Sequence, residues 1–116
     1  PDGASVVFSS DRSGNYDIWQ LDLQSGQLRK LTDASEDDYS PSFFKGGKEL
    51  AFVRHLQRDE SELRALNLIT QTDTPIARET GVISGVSASP NDDSVAYQLL
   101  HRDRVGQAHT ELKLIN

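Results

Sequence analysis

The sequence predicts an all-β chain, a β-propeller fragment of about two and a half to three four-stranded antiparallel blades. Two blocks of residues recur in step along the chain, and turn-forming residues separate short runs with strand character. No stretch carries an apolar period of 3.6 residues over a length that would make a helix. Four short strands in every 40–45 residues or so is the pattern of propeller blades.

The first repeated block is a turn and a polar step, followed by an apolar, a slim and an aromatic residue. Its three copies start at residues 1, 45 and 90 and end at Phe8, Phe52 and Tyr97. Successive side chains of a strand point to opposite faces, so the apolar and aromatic residues share one face and the slim residue lies on the other. Each blade is therefore predicted to place its bulky face on the slim face of its neighbour.

The second block reads polar, acidic, aliphatic, two variable positions, aliphatic, and then Asp or Asn. It covers residues 16–22, 61–67 and 110–116 and keeps the register of the first block. The middle unit then has predicted strands at 39–44, 49–54, 61–68 and 73–78, and Gly46-Gly47 forms a tight hairpin. The stretch 55–64 is compatible with a strand and also with a short helical turn.

These registers divide residues 1–116 into a partial blade at 1–38, a complete blade at 39–83 and a partial blade at 84–116. They assign three, four and three strands to the successive units. The turn signal Pro1-Asp2-Gly3 has no element before it, which favours a chain cut from a longer protein. A stack with two uncovered faces invites association, so a homodimer that closes a six-bladed ring is one expected assembly.

Composition argues against several classes of function. The net charge is −6, from 12 basic and 18 acidic residues, and the basic residues are scattered. Nucleic-acid binding requires a clustered basic face, so none is expected through this segment. No apolar run approaches the roughly 20 residues that cross a bilayer, so no membrane insertion is expected. Because cysteine is absent, there are no disulfides and no thiolate zinc sites.

The residue types of catalysis and metal binding are present without the required spacing. The serine-peptidase elbow Gly-x-Ser-x-Gly is approached at 81–85 and 85–89 and matched at neither. His55, His101 and His109 lack the spacing of a ligand pair, and the acidic run at 33–38 lacks the alternation of a calcium loop. We therefore predict no catalytic residue, no cofactor and no metal, and no enzyme activity for this chain.

Four residues are candidates for binding a partner. The loops at 33–38 and 79–83 lead to the innermost strands and should ring one mouth of the axial channel. Glu36, Asp37 and Asp38 make the first loop acidic, which favours a basic partner. Trp19 aligns with Arg64 and Lys113 in the later units. It is therefore predicted at a blade margin, half exposed, where a Trp could anchor a partner.

The first unit resembles the repeat of the TolB-like β-propeller family, a group of WD-like propeller repeats. The family pattern is close to Ser-Pro-Asp-Gly, an apolar strand, Ser-Asp-Arg-x-Gly, Asp-Ile-Tyr-x-x-Asp and Leu-Thr. The matching residues here are 1–3, 6–8, 10–15, 16–19, 21–23 and 31–32. In the later units the Asp-Arg-x-Gly loop becomes residues 57–60 and then a longer insert at 101–109, while the period is kept.

The resemblance implies a six-bladed propeller that holds another protein or peptide. The expected role is a non-catalytic protein-interaction scaffold, the propeller domain of a larger, periplasmic protein of the bacterial envelope. Similar repeats also form the propeller of prolyl-oligopeptidase-type serine peptidases and the sensory propeller of membrane-anchored winged-helix transcription regulators. Both remain alternatives, because a fold does not determine a function.

Overall fold

The computed structural model describes residues 4–89 and 93–116. Within those ranges the chain is all β, with ten strands and no helix. The strands are β1 Ser5–Ser10, β2 Asp17–Asp22, β3 Leu28–Lys30, β4 Asp38–Phe44, β5 Glu49–His55, β6 Glu60–Asn67, β7 Asp73–Thr80, β8 Val82–Ala88, β9 Val95–Arg102 and β10 Ala108–Ile115. The predicted turns at Pro1-Asp2-Gly3 and Pro90-Asn91-Asp92 lie outside the described residues.

The strands form three antiparallel sheets in which sequence neighbours pair. The first sheet is β1-β2-β3, the second is β4-β5-β6-β7, and the third is β8-β9-β10. The predicted all-β propeller-type arrangement of three, four and three strands is thereby confirmed. Residues 56–59 form the turn before β6, closed by the Leu56 N–H donating to the Glu60 carbonyl at 2.9 Å, and not a helical turn.

The three sheets repeat in register as well as in topology. Phe8, Phe52 and Tyr97 lie directly opposite Trp19, Arg64 and Lys113 on the neighbouring strands. The equivalence of Phe8, Phe52 and Tyr97 that the repeated blocks predict is therefore observed. Each sheet therefore has the same two kinds of face, and equivalent faces point in the same direction.

The bulky face of one sheet packs on the slim face of the sheet before it. Leu50 and Phe52 are fully buried in a cluster with Ile18, which lies on the Val7 face of the first sheet. At the second junction the apolar cluster joins two sets of side chains, Ala51, Val53 and Leu63 from the second sheet and Ile83, Val95, Tyr97 and Leu99 from the third. The predicted complementarity of large and small faces is confirmed at both junctions.

A β-bulge interrupts the innermost strand of the second and third sheets at the same place. It lies between Tyr39 and Ser42 in β4 and between Ser84 and Ser87 in β8. The corresponding residues Ser40 and Gly85 have φ of 55° and 59°. An extra residue in left-handed conformation bends a strand, so both inner strands curve at equivalent points.

Candidate protein-binding surface

The acidic loop between β3 and β4 is held in one conformation by the turn between β1 and β2. The Asn15 side-chain amide donates to the carbonyl oxygens of Ala34 at 2.9 Å and Glu36 at 2.7 Å. The Tyr16 N–H donates to the Asp37 carboxylate at 2.9 Å, and the Asp38 N–H donates to the Tyr16 carbonyl at 2.8 Å. These long-range bonds give the loop a fixed backbone, so its side chains are presented from a rigid base.

Three carboxylates of this loop are exposed, those of Asp33, Glu36 and Asp37, and Asp33 pairs with Lys30 at 2.9 Å. The Glu36 side chain accepts a bond from the Ser35 hydroxyl at 3.3 Å, and Asp37 accepts the Tyr16 amide. Neither carboxylate forms an ion pair with any of the described residues. Two uncompensated negative charges therefore face solvent beside the exposed Tyr16 ring.

Asp38 lies in the interior, although the sequence groups it with Glu36 and Asp37. It is 0% exposed, and its two oxygens accept bonds from Arg54 Nε at 2.8 Å and Nη2 at 3.1 Å. Burial raises the pKa of the Asp38 carboxyl, and the hydrogen bonds from Arg54 and Thr32 act in the opposite direction. As the first residue of β4, Asp38 points toward the first sheet and stabilises the junction from inside.

Arg54 links Asp38 to a chain of charges that the sequence analysis did not identify. Its Nη2 also donates to Asp73 at 3.0 Å, and Arg64 bridges Asp73 and Glu62 at 2.6 Å each. Burial lowers the pKa of Arg54, but the hydrogen bonds and charges of Asp38 and Asp73 raise it by more. The pKa of Arg54 therefore lies above its ordinary value. The register of β4, β5 and β6 is the signal that could have revealed the network, because it puts these residues on one face.

Asp17 is a second buried carboxylate that sequence reasoning missed. It is almost fully buried at the start of β2 and accepts bonds from the Ser13 hydroxyl at 3.1 Å and the Ala34 N–H at 3.3 Å. The Thr32 hydroxyl nearby accepts the Ile18 N–H at 3.0 Å. Through the bond from the Ala34 N–H, Asp17 anchors the start of the acidic loop to the start of β2.

Trp19 lies apart from the acidic loop, on the face of the first sheet that points away from the second. It is partly buried against Phe8, and the Arg12 guanidinium carbon is 5.4 Å from the Trp19 ring centre and 5.9 Å from that of Phe8. A cation at this distance over an aromatic face is attracted by the ring quadrupole. The four candidate residues therefore occupy three environments, and only Glu36 and Asp37 share one.

Two of the three histidines meet on the third sheet. His101 and His109 are cross-strand partners with ring centres 5.8 Å apart. His109 Nε2 is 2.8 Å from Asp103 Oδ2, and His101 Nε2 is 3.4 Å from Glu111 Oε2. Across residues 4–89 and 93–116, no group of three or more His, Cys, Asp or Glu side chains is arranged to hold a metal ion. The same ranges contain no helix that is long and apolar enough to cross a membrane.

Comparison with known proteins identifies relatives by sequence similarity. No protein-family model matches the chain. The Tol-Pal system protein TolB of Francisella tularensis subsp. holarctica is 30% identical over 71 residues, which are 60% of this chain and 16% of that protein. An uncharacterized protein of Agrobacterium fabrum is 29% identical over 55 residues, 47% of this chain and 19% of that protein. The chain thus spans less than a fifth of the length of these relatives.

Solved structures share the fold. TolB from Acinetobacter baumannii superposes with a TM-score of 0.75 at 20% identity, over 97% of this chain and 28% of that one. A putative TolB from Agrobacterium tumefaciens gives 0.70 at 18% identity, over 100% and 40%. The acylaminoacyl peptidase of Pyrococcus horikoshii gives 0.59 at 17% identity, over 86% and 16%. The repeat motif, the sequence similarity to TolB and the shared fold agree in supporting a TolB-like β-propeller fold for this chain.

Proposed function

We propose that this chain is a non-catalytic protein-interaction scaffold, a TolB-like propeller segment of a larger periplasmic protein of the bacterial envelope. Its partner is another protein or peptide with a basic segment that docks on the acidic loop through Glu36 and Asp37. The observation that carries this proposal is the loop itself, which three hydrogen bonds tie to the β1–β2 turn and which presents two carboxylates with no ion-pair partner in the described part of the chain. The Tol-Pal system named for the relative supports the envelope location.

The electrostatics of the loop suit recruitment more than tight binding. An exposed ion pair contributes about 0.2–1 kcal/mol, so two such pairs cannot make a complex stable by themselves. Charge complementarity instead accelerates encounter and orients the partner. The net charge of −6 acts in the same direction at longer range. We therefore expect the remaining affinity to come from apolar contacts near the loop, for which the exposed ring of Tyr16 is the nearest aromatic group.

A basic probe peptide tests the proposal. Fluorescence anisotropy would follow a labelled peptide of alternating Lys and Ala, with a Glu-Ala peptide as the probe of opposite charge. Binding of the Lys peptide that weakens with salt is expected, and Glu36→Gln with Asp37→Asn should weaken it roughly 2- to 30-fold.

The matched control changes two exposed carboxylates elsewhere, Asp93→Asn with Glu111→Gln. This control keeps the same net charge as the loop variant and should leave binding within about twofold. Equal losses in the two variants would mean that the peptide responds only to net charge, and the loop would then not be the site.

A second candidate function is supported by the fold shared with the Pyrococcus horikoshii peptidase. In that case the chain would be the propeller of a serine peptidase and control access to a catalytic domain elsewhere in the protein. Sequencing the full gene distinguishes the two functions. An adjoining domain with a Gly-x-Ser-x-Gly elbow would favour the peptidase, whereas its absence would favour the scaffold.

A further inference from the structure

The hairpin between β9 and β10 rises above the equivalent hairpins of the other two sheets. The last pair of β5 with β6 joins His55 to Ser61, and its equivalent in the third sheet joins Leu100 to Thr110. Beyond that pair, β9 and β10 stay paired over two further positions. At about 3.4 Å per residue, these positions raise the turn at 103–107 by about 7 Å. Strands or blades with the lengths seen in the first two sheets would end below this turn and leave it exposed.

The raised turn contains a second copy of the Asp-Arg-x-Gly motif of the first unit. Residues 103–106 read Asp-Arg-Val-Gly, and residues 11–14 read Asp-Arg-Ser-Gly. Both turns close with a bond from the glycine N–H to the aspartate carbonyl, at 2.9 Å in the first sheet and 3.0 Å in the third. The two turns therefore have the same form and differ in their height above the sheet.

The arginines of the two motifs have different surroundings. Arg12 lies against its own sheet, where its Nε donates to the Ser10 hydroxyl at 3.1 Å and its guanidinium carbon lies 5.4 Å from the Trp19 ring centre. Arg104 is exposed, and its guanidinium forms no hydrogen bond, ion pair or ring contact with the described residues. The next residue, Val105, is 81% exposed. The raised turn thus presents a guanidinium beside an apolar side chain.

Hydrogen bonds within the turn hold these side chains in place. Asp103 Oδ1 accepts the N–H groups of the residues two and four positions later, at 3.0 and 2.9 Å, and Oδ2 lies 2.8 Å from His109 Nε2. Arg102 Nη1 donates to a backbone carbonyl of the turn at 2.8 Å. Neither Arg102 nor Arg104 has a carboxylate partner in the described part of the chain. We call Arg102, Arg104 and Val105 the hairpin tip.

We propose that the hairpin tip binds an acidic segment of another protein, one that carries an apolar residue beside its carboxylates. A guanidinium presents parallel N–H groups that match a carboxylate. Because the turn is already ordered, binding does not bear the entropy cost of ordering it. A lipid surface fits less well, since anionic membranes recruit clusters of about four to eight Lys or Arg. The inference does not rest on the acidic loop, for which a basic partner is proposed.

Three short peptides test the hairpin tip on the 116-residue chain. They carry Glu-Leu-Glu, Gln-Leu-Gln or Glu-Gly-Glu between Gly-Ser spacers, and NMR follows the backbone amides of the isotope-labelled protein as each is added. Glu-Leu-Glu should shift the amides of residues 102–108, and its Kd should rise with salt. The other two peptides should bind more weakly, because one lacks the carboxylates and the other the apolar side chain.

Arg102→Gln with Arg104→Gln removes both charges of the hairpin tip. This variant should weaken the binding of Glu-Leu-Glu roughly 2- to 30-fold. The matched control is Arg29→Gln with Arg58→Gln, which changes two exposed arginines outside the tip and gives the same net charge. The control should leave the Kd within about twofold.

Two single variants keep the test independent of the Arg102 bond within the turn. Arg104→Gln removes a side chain without contacts, so the fold is retained, and it should weaken binding about 1.5- to 5-fold. Val105→Ser should remove the preference for Glu-Leu-Glu over Glu-Gly-Glu. The loop variant, Glu36→Gln with Asp37→Asn, should bind Glu-Leu-Glu at least as tightly as the wild type. The failure of one site is therefore distinguishable from the failure of the other.

Three results would overturn the proposal. Equal losses in the double variant of the tip and in its control would mean that the peptide responds only to net charge. Shifts confined to amides outside the hairpin would place the peptide elsewhere. Binding of the chain to phosphatidylglycerol vesicles, lost only in the double variant of the tip, would assign the tip to a lipid surface.

Discussion

Asp22 and Asn67 occupy the same position in the first and second sheets, and each caps the turn after its strand with one side-chain oxygen. Asp22 Oδ1 accepts the N–H groups of the residues two and three positions later, at 2.9 and 3.1 Å. Asn67 Oδ1 accepts the two corresponding N–H groups at 2.9 and 3.0 Å. A carboxylate and a neutral amide thus perform the same role in equivalent turns. Capping therefore requires the hydrogen-bond acceptor and not its negative charge.

Asp22→Asn is expected to keep the first turn and remove its dependence on pH. The backbone amides of Ser25 and Gln24 lower the pKa of Asp22. A lowered pKa in the fold stabilises the protein above the unfolded value near 3.9, and this contribution is lost as pH falls through the folded pKa. Thermal unfolding of the variant should therefore change less below about pH 4 than that of the wild type.

The control for this prediction is Asp11→Asn, at an exposed carboxylate that caps no turn in the described part of the chain. It should leave the wild-type acid dependence in place. If Asp22→Asn were as sensitive to acid as the wild type, the cap would not be the source of the effect.

Gln71→Gly is expected to stabilise the turn after β6. Gln71 has φ of 61° where the equivalent Gly26 has 72°, and both N–H groups donate to the carbonyl of the capping residue. A left-handed conformation costs a residue with a Cβ about 1–2 kcal/mol, and the added freedom of glycine in the unfolded chain offsets part of the gain. A net increase of roughly 0.5–1 kcal/mol in urea unfolding is expected.

The reverse change in the first sheet is the matched experiment. A Cβ at Gly26 would meet no atom within 4 Å, so Gly26→Ala tests backbone strain without a clash. It should lower stability by about 1 kcal/mol. This explanation requires Gln71→Gly to raise stability and Gly26→Ala to lower it. A loss of stability in both variants would contradict it.

Phe52→Ala should be far more costly than Trp19→Ala, although both are large aromatic side chains. Phe52 is fully buried at the junction of the first two sheets, so its removal leaves a cavity and should cost about 3–5 kcal/mol. Trp19 is partly buried on the face of the first sheet that points away from the second, so its removal should cost much less. Chemical denaturation of the two variants measures both losses. Equal losses would mean that Trp19 is as well packed as Phe52.

Tyr97→Phe tests the polar contact at the junction of the second and third sheets. The Tyr97 hydroxyl donates to Glu79 Oε2 at 2.5 Å, and its removal should cost roughly 1–2 kcal/mol. Tyr16→Phe is the control because the Tyr16 ring is exposed, and it should change stability by less than about 0.5 kcal/mol.

The same hydroxyl predicts a response to alkali. Burial, and then the Glu79 charge, raise the pKa of Tyr97 above its ordinary value. The phenol therefore ionises first in the unfolded chain, so stability should fall as pH rises above about 10. Because Tyr97→Phe removes the ionising group, the stability of that variant should fall less over the same range.

Where sequence reasoning succeeded, the information was local and repeated. Strand alternation and two blocks in register were sufficient to predict that Phe8, Phe52 and Tyr97 are equivalent and that each sheet has a bulky and a slim face. Asp38 shows the limit of this reasoning. Its position in an acidic run predicts exposure, but the first residue of β4 is directed inward by the register with Arg54.

The sequence by itself determined the strands, their order and the two kinds of sheet face, because alternation and turn chemistry act between near neighbours. Only the tertiary structure decided which charged residues are buried together and which carboxylates of the acidic loop remain free. Arg54, Asp73 and Arg64 meet through pairings across β5, β6 and β7 and a bulge between Leu63 and Arg64, and Asn15 reaches a loop about twenty residues away. Such contacts depend on the sum of registers and sheet stacking, which no short stretch of sequence encodes.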